Sequence, residues 1–260
     1  MRYVIVVIGC KGNAFPLKAR SSFYRHRANF PPVYNFLLML VLMLFCCTFF
    51  CNNKIADTRM TPITYLALGD SYTIGEQVAY PECFPVQAAA LLREKGYQVD
   101  KPVIIATTGW TTDELLAGIA AAHITHTYDI VTLLIGVNNQ YRGRSVEEYR
   151  QEFAALLQQA IAFAGNRPAH VVVLSIPDWG VTPFAANRDR EQIAKEIDAY
   201  NAVNKAIAVE QQVQYVDITP FTREASKDLS LVATDGLHPS GKDYHRWALA
   251  LAPRLEQALR

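Results

Sequence analysis

The sequence predicts an α/β domain, an open and doubly wound sheet of five parallel strands with helices on both faces. Three observations carry that expectation. Five short apolar runs, rich in valine and isoleucine, recur from Thr61 onward. They lack strict polar–apolar alternation, the pattern of strands buried on both faces of a parallel sheet. Between them lie stretches with apolar residues at intervals of three and four, the period of one helix face.

The strand runs are "ITYLALG", "PVIIATTG", "IVTLLIGVN", "HVVVLSIP" and "VQYVDI". After the first, "FPVQAAALL" reads as the start of a helix. "DELLAGIAAA" follows the second, with Thr111 and Glu114 in the spacing of a capping box. "SVEEYRQEFAALLQQAIAFA" follows the third and sets Val146, Tyr149, Phe153, Leu156, Ala160 and Phe163 along one face. Ser145 and Glu148 form a second capping box at its start. "REQIAKEIDAYNAVNKAIAVE" and "GKDYHRWALALAPRLEQAL" complete the helices. Right-handed crossovers between the strands follow from chain chirality.

A chain of 260 residues is long enough for one medium domain plus an appendage, so it divides into residues 1–60 and 61–260. The formal net charge of +1 gives no electrostatic footprint for nucleic acid. Cysteine usage is lopsided. Cys10, Cys46, Cys47 and Cys51 precede the domain and only Cys83 lies within it, so the domain holds no internal disulfide and Cys83 reads as structural.

The appendage reads as an export segment. Arg25, His26 and Arg27 precede "FLLMLVLMLFCCTFFC" at 36–51, an apolar stretch short of the roughly 20 residues that a spanning helix needs. The cysteines at its end raise lipid anchoring, although Phe49 and Phe50 before Cys51 are larger than lipoprotein processing favours. A periplasmic or membrane-anchored envelope protein, tethered through this segment, is the expectation. The second apolar patch, "YVIVVIG", fits either a start assigned too far upstream or a genuine extra segment.

In open α/β sheets the working site lies beyond the carboxyl ends of the strands. Here the strands run into Gly69-Asp70-Ser71, Thr108-Gly109-Trp110, Gly136-Val137-Asn138-Asn139 and Pro177-Asp178-Trp179-Gly180, and Asp235 and His238 come just before the final helix. A serine hydroxyl needs a base within hydrogen-bond reach, and the base needs an orienting partner. Acyl transfer also needs donors aimed at the developing oxyanion. The rim supplies each part. Ser71 is the candidate nucleophile, His238 the base and Asp235 its orienting carboxylate. The Asn138 amide and the N–H groups of Ser71 and Gly109 are candidate oxyanion donors. Trp110, Tyr141 and Trp179 are candidates to line the substrate pocket.

These blocks carry a resemblance. "GDSYTIGE", "TTGWTTDEL", "GVNNQY" and "DGLHPS" occur in the order of the four motifs of the SGNH, or GDSL-type, hydrolase superfamily, and the likeness spans residues 62–258. It implies a flavodoxin-like three-layer α/β/α sandwich and hydrolysis of an ester or thioester, with no metal or organic cofactor. Many members carry aspartate after the third-block asparagine, and here it is Asn139, which leaves the bracing of that loop to an amide. The G-x-S-x-G elbow of the α/β-hydrolases is absent.

Plainer readings stand beside these. Ser71 alone reads as a helix N-cap, Asp235-Gly236 as a turn and Gly109 as a strand-end glycine. His123 and His126 lack a third metal ligand, Arg142 and Arg144 suit a solvated loop, and His170 and His245 suit packing or surface. The short loops favour small acyl groups such as acetyl, on a small-molecule, carbohydrate or lipid ester. Lysophospholipid or thioester hydrolysis and acyl transfer to a sugar are the alternatives. A non-catalytic envelope binding protein is the rival from another class. A phosphate-cradling flavodoxin-type binder is disfavoured, because two carboxylates in "GDSYTIGE" would repel phosphate.

Overall fold

The computed structural model describes residues 61–260, so the export, lipidation and tether expectations for residues 1–60 lie outside the described residues. The five runs form β1 (Tyr65–Asp70), β2 (Val103–Thr107), β3 (Ile130–Leu134), β4 (Val171–Leu174) and β5 (Gln214–Val216). All neighbours pair parallel, in the order β2-β1-β3-β4-β5. The chain therefore reverses its direction of growth between β1 and β3, which opens a crevice at their carboxyl ends.

Helices cover both faces. On one side α2 (Phe84–Glu94) packs against α8 (Gly241–Ala258). On the other, α5 (Val146–Phe163) packs against α3 (Thr112–Ala121) and α6 (Arg190–Glu210). Three short helices, α1 (Ser71–Ile74), α4 (Val137–Tyr141) and α7 (Thr219–Arg223), sit directly after β1, β3 and β5. The sequence patterns named none of these three, because one turn is too short to show a period.

Burial follows the predicted pattern with two differences. β1, β3 and β4 are wholly buried, as continuous apolar runs require, but β2 is an edge strand and its Val103 is 43% exposed. In α5 the buried face holds Tyr149, Phe153, Leu156, Leu157, Ala160 and Ile161, while Val146 and Phe163 at the ends are only partly covered. Ser145 caps this helix by accepting from the Glu148 N–H at 3.1 Å. The Glu148 carboxylate instead turns to Arg144, so only half of the predicted capping box forms there. At α3 the box is used: the Glu114 carboxylate accepts from the Thr111 N–H at 2.9 Å. Cys83 is free and buried. Among the described residues no helix is long and apolar enough to cross a membrane.

Candidate active site

The turn after β1 raises Ser71 by an unusual division of labour. Asp70, not Ser71, is the N-cap of α1: its Oδ1 accepts from the Tyr72 N–H at 3.0 Å. Ser71 is the first helical residue. Its N–H is one of the donors that helix geometry leaves over, and its hydroxyl makes no hydrogen bond to another described residue. The plain reading of Ser71 as a cap is therefore replaced. The cap next door leaves this hydroxyl unspent.

Asp70 is fully buried, and burial pushes its carboxyl up to about 7 against the hydrogen bonds that favour its charge. Its Oδ2 has no partner among the described residues, as suits a carboxyl that carries a proton. Such a group binds a proton in the fold that the unfolded chain gives up near pH 4. The stability it contributes is full below about pH 4 and is lost as pH rises through about 7. Asp70→Asn keeps an acceptor for the Tyr72 N–H and removes the titration. We expect the wild type to lose stability relative to this variant between pH 4 and 7, by at most about 4 kcal/mol. Urea midpoints of both proteins across that range test it, and two parallel curves would refute it.

The Asp235 turn presents the base. Its Oδ1 accepts from the N–H groups of Leu237 and His238, each at 3.0 Å, and its Oδ2 lies 2.6 Å from His238 Nδ1. A carboxylate can only accept, so Nδ1 carries a proton, and in the neutral ring this leaves the lone pair on Nε2. Burial alone would raise the Asp235 carboxyl. The hydrogen bonds from the His238 ring and the two N–H groups outweigh it and hold the carboxyl below its usual value. Tyr72 backs the imidazole, with ring centroids 5.0 Å apart.

The third and fourth groups come from two loops that are tied together. Gly109 has φ +84°, a left-handed conformation that a side chain would strain. Its N–H has no acceptor among the described residues. Asn138, on α4, donates one amide hydrogen to the Trp110 carbonyl at 3.0 Å and keeps the other. Asn139 is wholly buried and braces the start of α3. Its Oδ1 accepts from the Thr112 N–H at 3.1 Å and its amide donates to the Thr112 hydroxyl at 2.6 Å. The amide thus does the bracing expected of the usual aspartate, and the Thr112 hydroxyl is left to donate to Glu152.

Ser71, Gly109, Asn138 and His238 all line one cavity of about 180 Å3. No hydrogen bond joins Ser71 to His238 among the described residues. Such contacts often tighten only around substrate. Tyr141 and Trp179 also line this cavity. Trp110 does not, and that expectation is corrected. Its ring packs over Gly118, where a Cβ would lie 2.1 Å from it, because a missing side chain on α3 leaves a slot for the indole. The sequence reading missed Phe184, whose ring lies 5.9 Å from that of Trp179 and 6.3 Å from that of Tyr141. Nothing local marks Phe184. Its place depends on its N–H donating to the Gly236 carbonyl at 2.9 Å, a contact made only in the fold.

The remaining candidates fall outside the cavity. His170 Nδ1 sits 2.8 Å from the Asp129 carbonyl and His245 Nδ1 2.7 Å from Gln87 Oε1. His123 and His126 gather no third ligand, and among the described residues no three His, Cys, Asp or Glu side chains cluster as a metal site requires.

Comparisons with known proteins bear on the family and the fold. The family model of the GDSL-like lipase/acylhydrolases matches residues 67–246. No curated protein sequence matches the chain. Among solved structures the chain resembles TesA, at 22% identity and a TM-score of 0.59, over 75% of this chain and 99% of that one. It also resembles Axe2, an acetylxylan esterase from Geobacillus stearothermophilus, at 20% identity and 0.59, over 74% and 94%. EstA, a psychrotrophic esterase from Pseudoalteromonas sp., is similar at 15% identity and 0.55, over 75% and 96%. At these identities the likeness shows the fold, the three-layer sandwich of the SGNH hydrolases. The match across most of the described domain carries the assignment: the chain belongs to the GDSL-like lipase/acylhydrolase family, as an ester-cleaving hydrolase.

Proposed function

We propose that this hydrolase cleaves carboxylic esters of short acyl chains through Ser71, His238 and Asp235. The observation that carries the reading is the meeting of Ser71, Gly109, Asn138 and an Asp235-oriented imidazole at one cavity. Nε2 of His238 takes the Ser71 proton as Oγ attacks the acyl carbonyl. The oxyanion that forms is met by the N–H groups of Ser71 and Gly109 and the second amide hydrogen of Asn138. The imidazolium then protonates the leaving alcohol, and water deacylates the enzyme by the same steps.

The cavity supports a short acyl group. An apolar cavity of roughly 150 Å3 accepts a guest the size of benzene, so about 180 Å3 encloses a short acyl chain, while a palmitoyl chain would have to run out of the cleft. The rings of Tyr141, Trp179 and Phe184 give it an apolar wall. Trp179 presents no donor there, since its Nε1–H is spent on Gln140 Oε1 at 2.7 Å. Resemblance to an acetylxylan esterase supports an acetyl ester, including one on carbohydrate. The basic and apolar segment at residues 25–51 supports export to the cell envelope.

Hydrolysis of p-nitrophenyl esters from acetate to palmitate by the full chain, with Ser71→Ala beside it, tests both parts. Turnover of short chains that falls at least a thousandfold in Ser71→Ala is expected. Equal rates in the two proteins would remove Ser71 from the reaction, and a palmitate optimum would overturn the short-chain assignment.

A further inference from the structure

We propose that Arg142 is the positioning residue of the oxyanion hole, holding the Gly109 loop so that its N–H is aimed before substrate arrives. This rests on the reading of Ser71, Gly109 and Asn138 given above.

Gly109 needs outside support. It has a left-handed backbone, and where a Cβ would stand nothing lies within 4 Å except Arg142 Nη2, at 3.8 Å. With no side chain of its own to pack, the turn is held by hydrogen bonds: the Trp110 N–H donates to the Thr107 carbonyl at 3.2 Å across Gly109, and the Gly109 carbonyl takes a second bond. Arg142 Nη2 donates to the Gly109 carbonyl at 2.7 Å, a short charge-assisted bond. Nη1 of the same guanidinium donates to Glu114 Oε1 at 3.2 Å, while Glu114 Oε2 accepts from the Thr111 N–H at 2.9 Å. Guanidinium and carboxylate thus span the loop from Gly109 to Thr111. Arg142 is also fastened to the other half of the hole, since its own N–H donates to the Asn138 carbonyl at 3.0 Å. One residue holds both Gly109 and Asn138.

The pair is exposed, with the Arg142 and Glu114 side chains 43% and 39% accessible. An exposed ion pair adds little to overall stability. Its consequence falls on the aim of the loop. Preorganised donors act because they need no reorganisation during the reaction. A Gly109 N–H that wanders loses part of that benefit in the transition state and little in the ground state. Lysine cannot replace the residue, because a single ammonium lacks the planar fork that reaches carbonyl and carboxylate together.

The test compares Arg142→Ala and Arg142→Lys with the full-length wild type. The readings are kcat and KM on p-nitrophenyl acetate, inhibition by a short alkylboronic acid that mimics the tetrahedral oxyanion, and the thermal midpoint. Losing one oxyanion donor outright costs about a hundred- to a thousandfold in kcat. Misaiming one is expected to cost about ten- to a hundredfold. Boronate affinity should fall with kcat in both variants, while KM and the midpoint hold. Added methylguanidine should recover part of the Arg142→Ala rate. An unchanged kcat overturns the proposal. So does an unchanged kcat with raised KM, which would make Arg142 a substrate contact, or a loss of kcat matched by a fall in midpoint. A Ser71→Ala protein as active as wild type would instead remove the reading beneath it.

Discussion

Asp235→Asn is expected to lower kcat by about a thousand- to ten-thousandfold while leaving the fold intact. The two carboxylate oxygens have separate tasks. Oδ1 accepts from the N–H groups of Leu237 and His238 and so shapes the turn. Oδ2 accepts from His238 Nδ1 and so chooses the tautomer. An asparagine can keep the first task by placing its carbonyl oxygen where Oδ1 stands. Its amide hydrogens then face Nδ1, which must offer a lone pair to receive them. The ring proton moves to Nε2, which in the proposed reaction can then no longer take the serine proton. Measured kcat on a short-chain ester, with the thermal midpoint as a check on folding, decides the point. An activity within tenfold of wild type would mean that Asp235 only shapes a turn. Asp235→Ala is the less informative variant, because it removes the turn's acceptor as well.

Gly69→Ala is expected to cost about 3 kcal/mol or more in stability and to lower activity with it. The added Cβ would lie 2.1 Å from Thr73 Oγ1 and 2.5 Å from the Leu134 carbonyl. The threonine is a side chain and can turn aside. The carbonyl belongs to β3, whose Leu134 is the register partner of Gly69 itself. Relief must come from parting β1 and β3 at their carboxyl ends, or from lifting α1, and Ser71 is carried by either movement. Urea denaturation measures the stability loss. The double variant Gly69→Ala, Thr73→Ala separates the two contacts. It should recover only the smaller part, because the carbonyl clash remains. Full recovery would show that Thr73 alone forbids a side chain at this position.

Arg142 and Trp110 show how far local pattern reaches. Both follow motif residues on the same rim, and the sequence reading gave the tryptophan to the pocket and the arginine to solvent. The fold gives each a different place. Gly118 on α3 takes the indole away from the cavity, and Arg142 reaches back to the Gly109 carbonyl. Neither outcome follows from the residues immediately beside them: the indole needs the gap at Gly118 one helix-face further on, and Arg142 needs the Gly109 loop brought to it from another strand. Asp70 is a third case. "GDS" announces a nucleophile, but that the aspartate caps α1 and leaves the serine hydroxyl unspent appears only once the turn is built.

The amino-acid sequence by itself determined the five parallel strands and the five longer helices. It also determined the rim on which the motif residues stand. Those features rest on hydrophobic period and on strand direction, which neighbouring residues encode. Tertiary structure alone decided that β2 lies at the edge, that Phe184 lines the cavity and that Arg142 ties Gly109 to Asn138. These depend on contacts between residues far apart in the chain, made only after the crossovers have brought separate loops to the same end of the sheet.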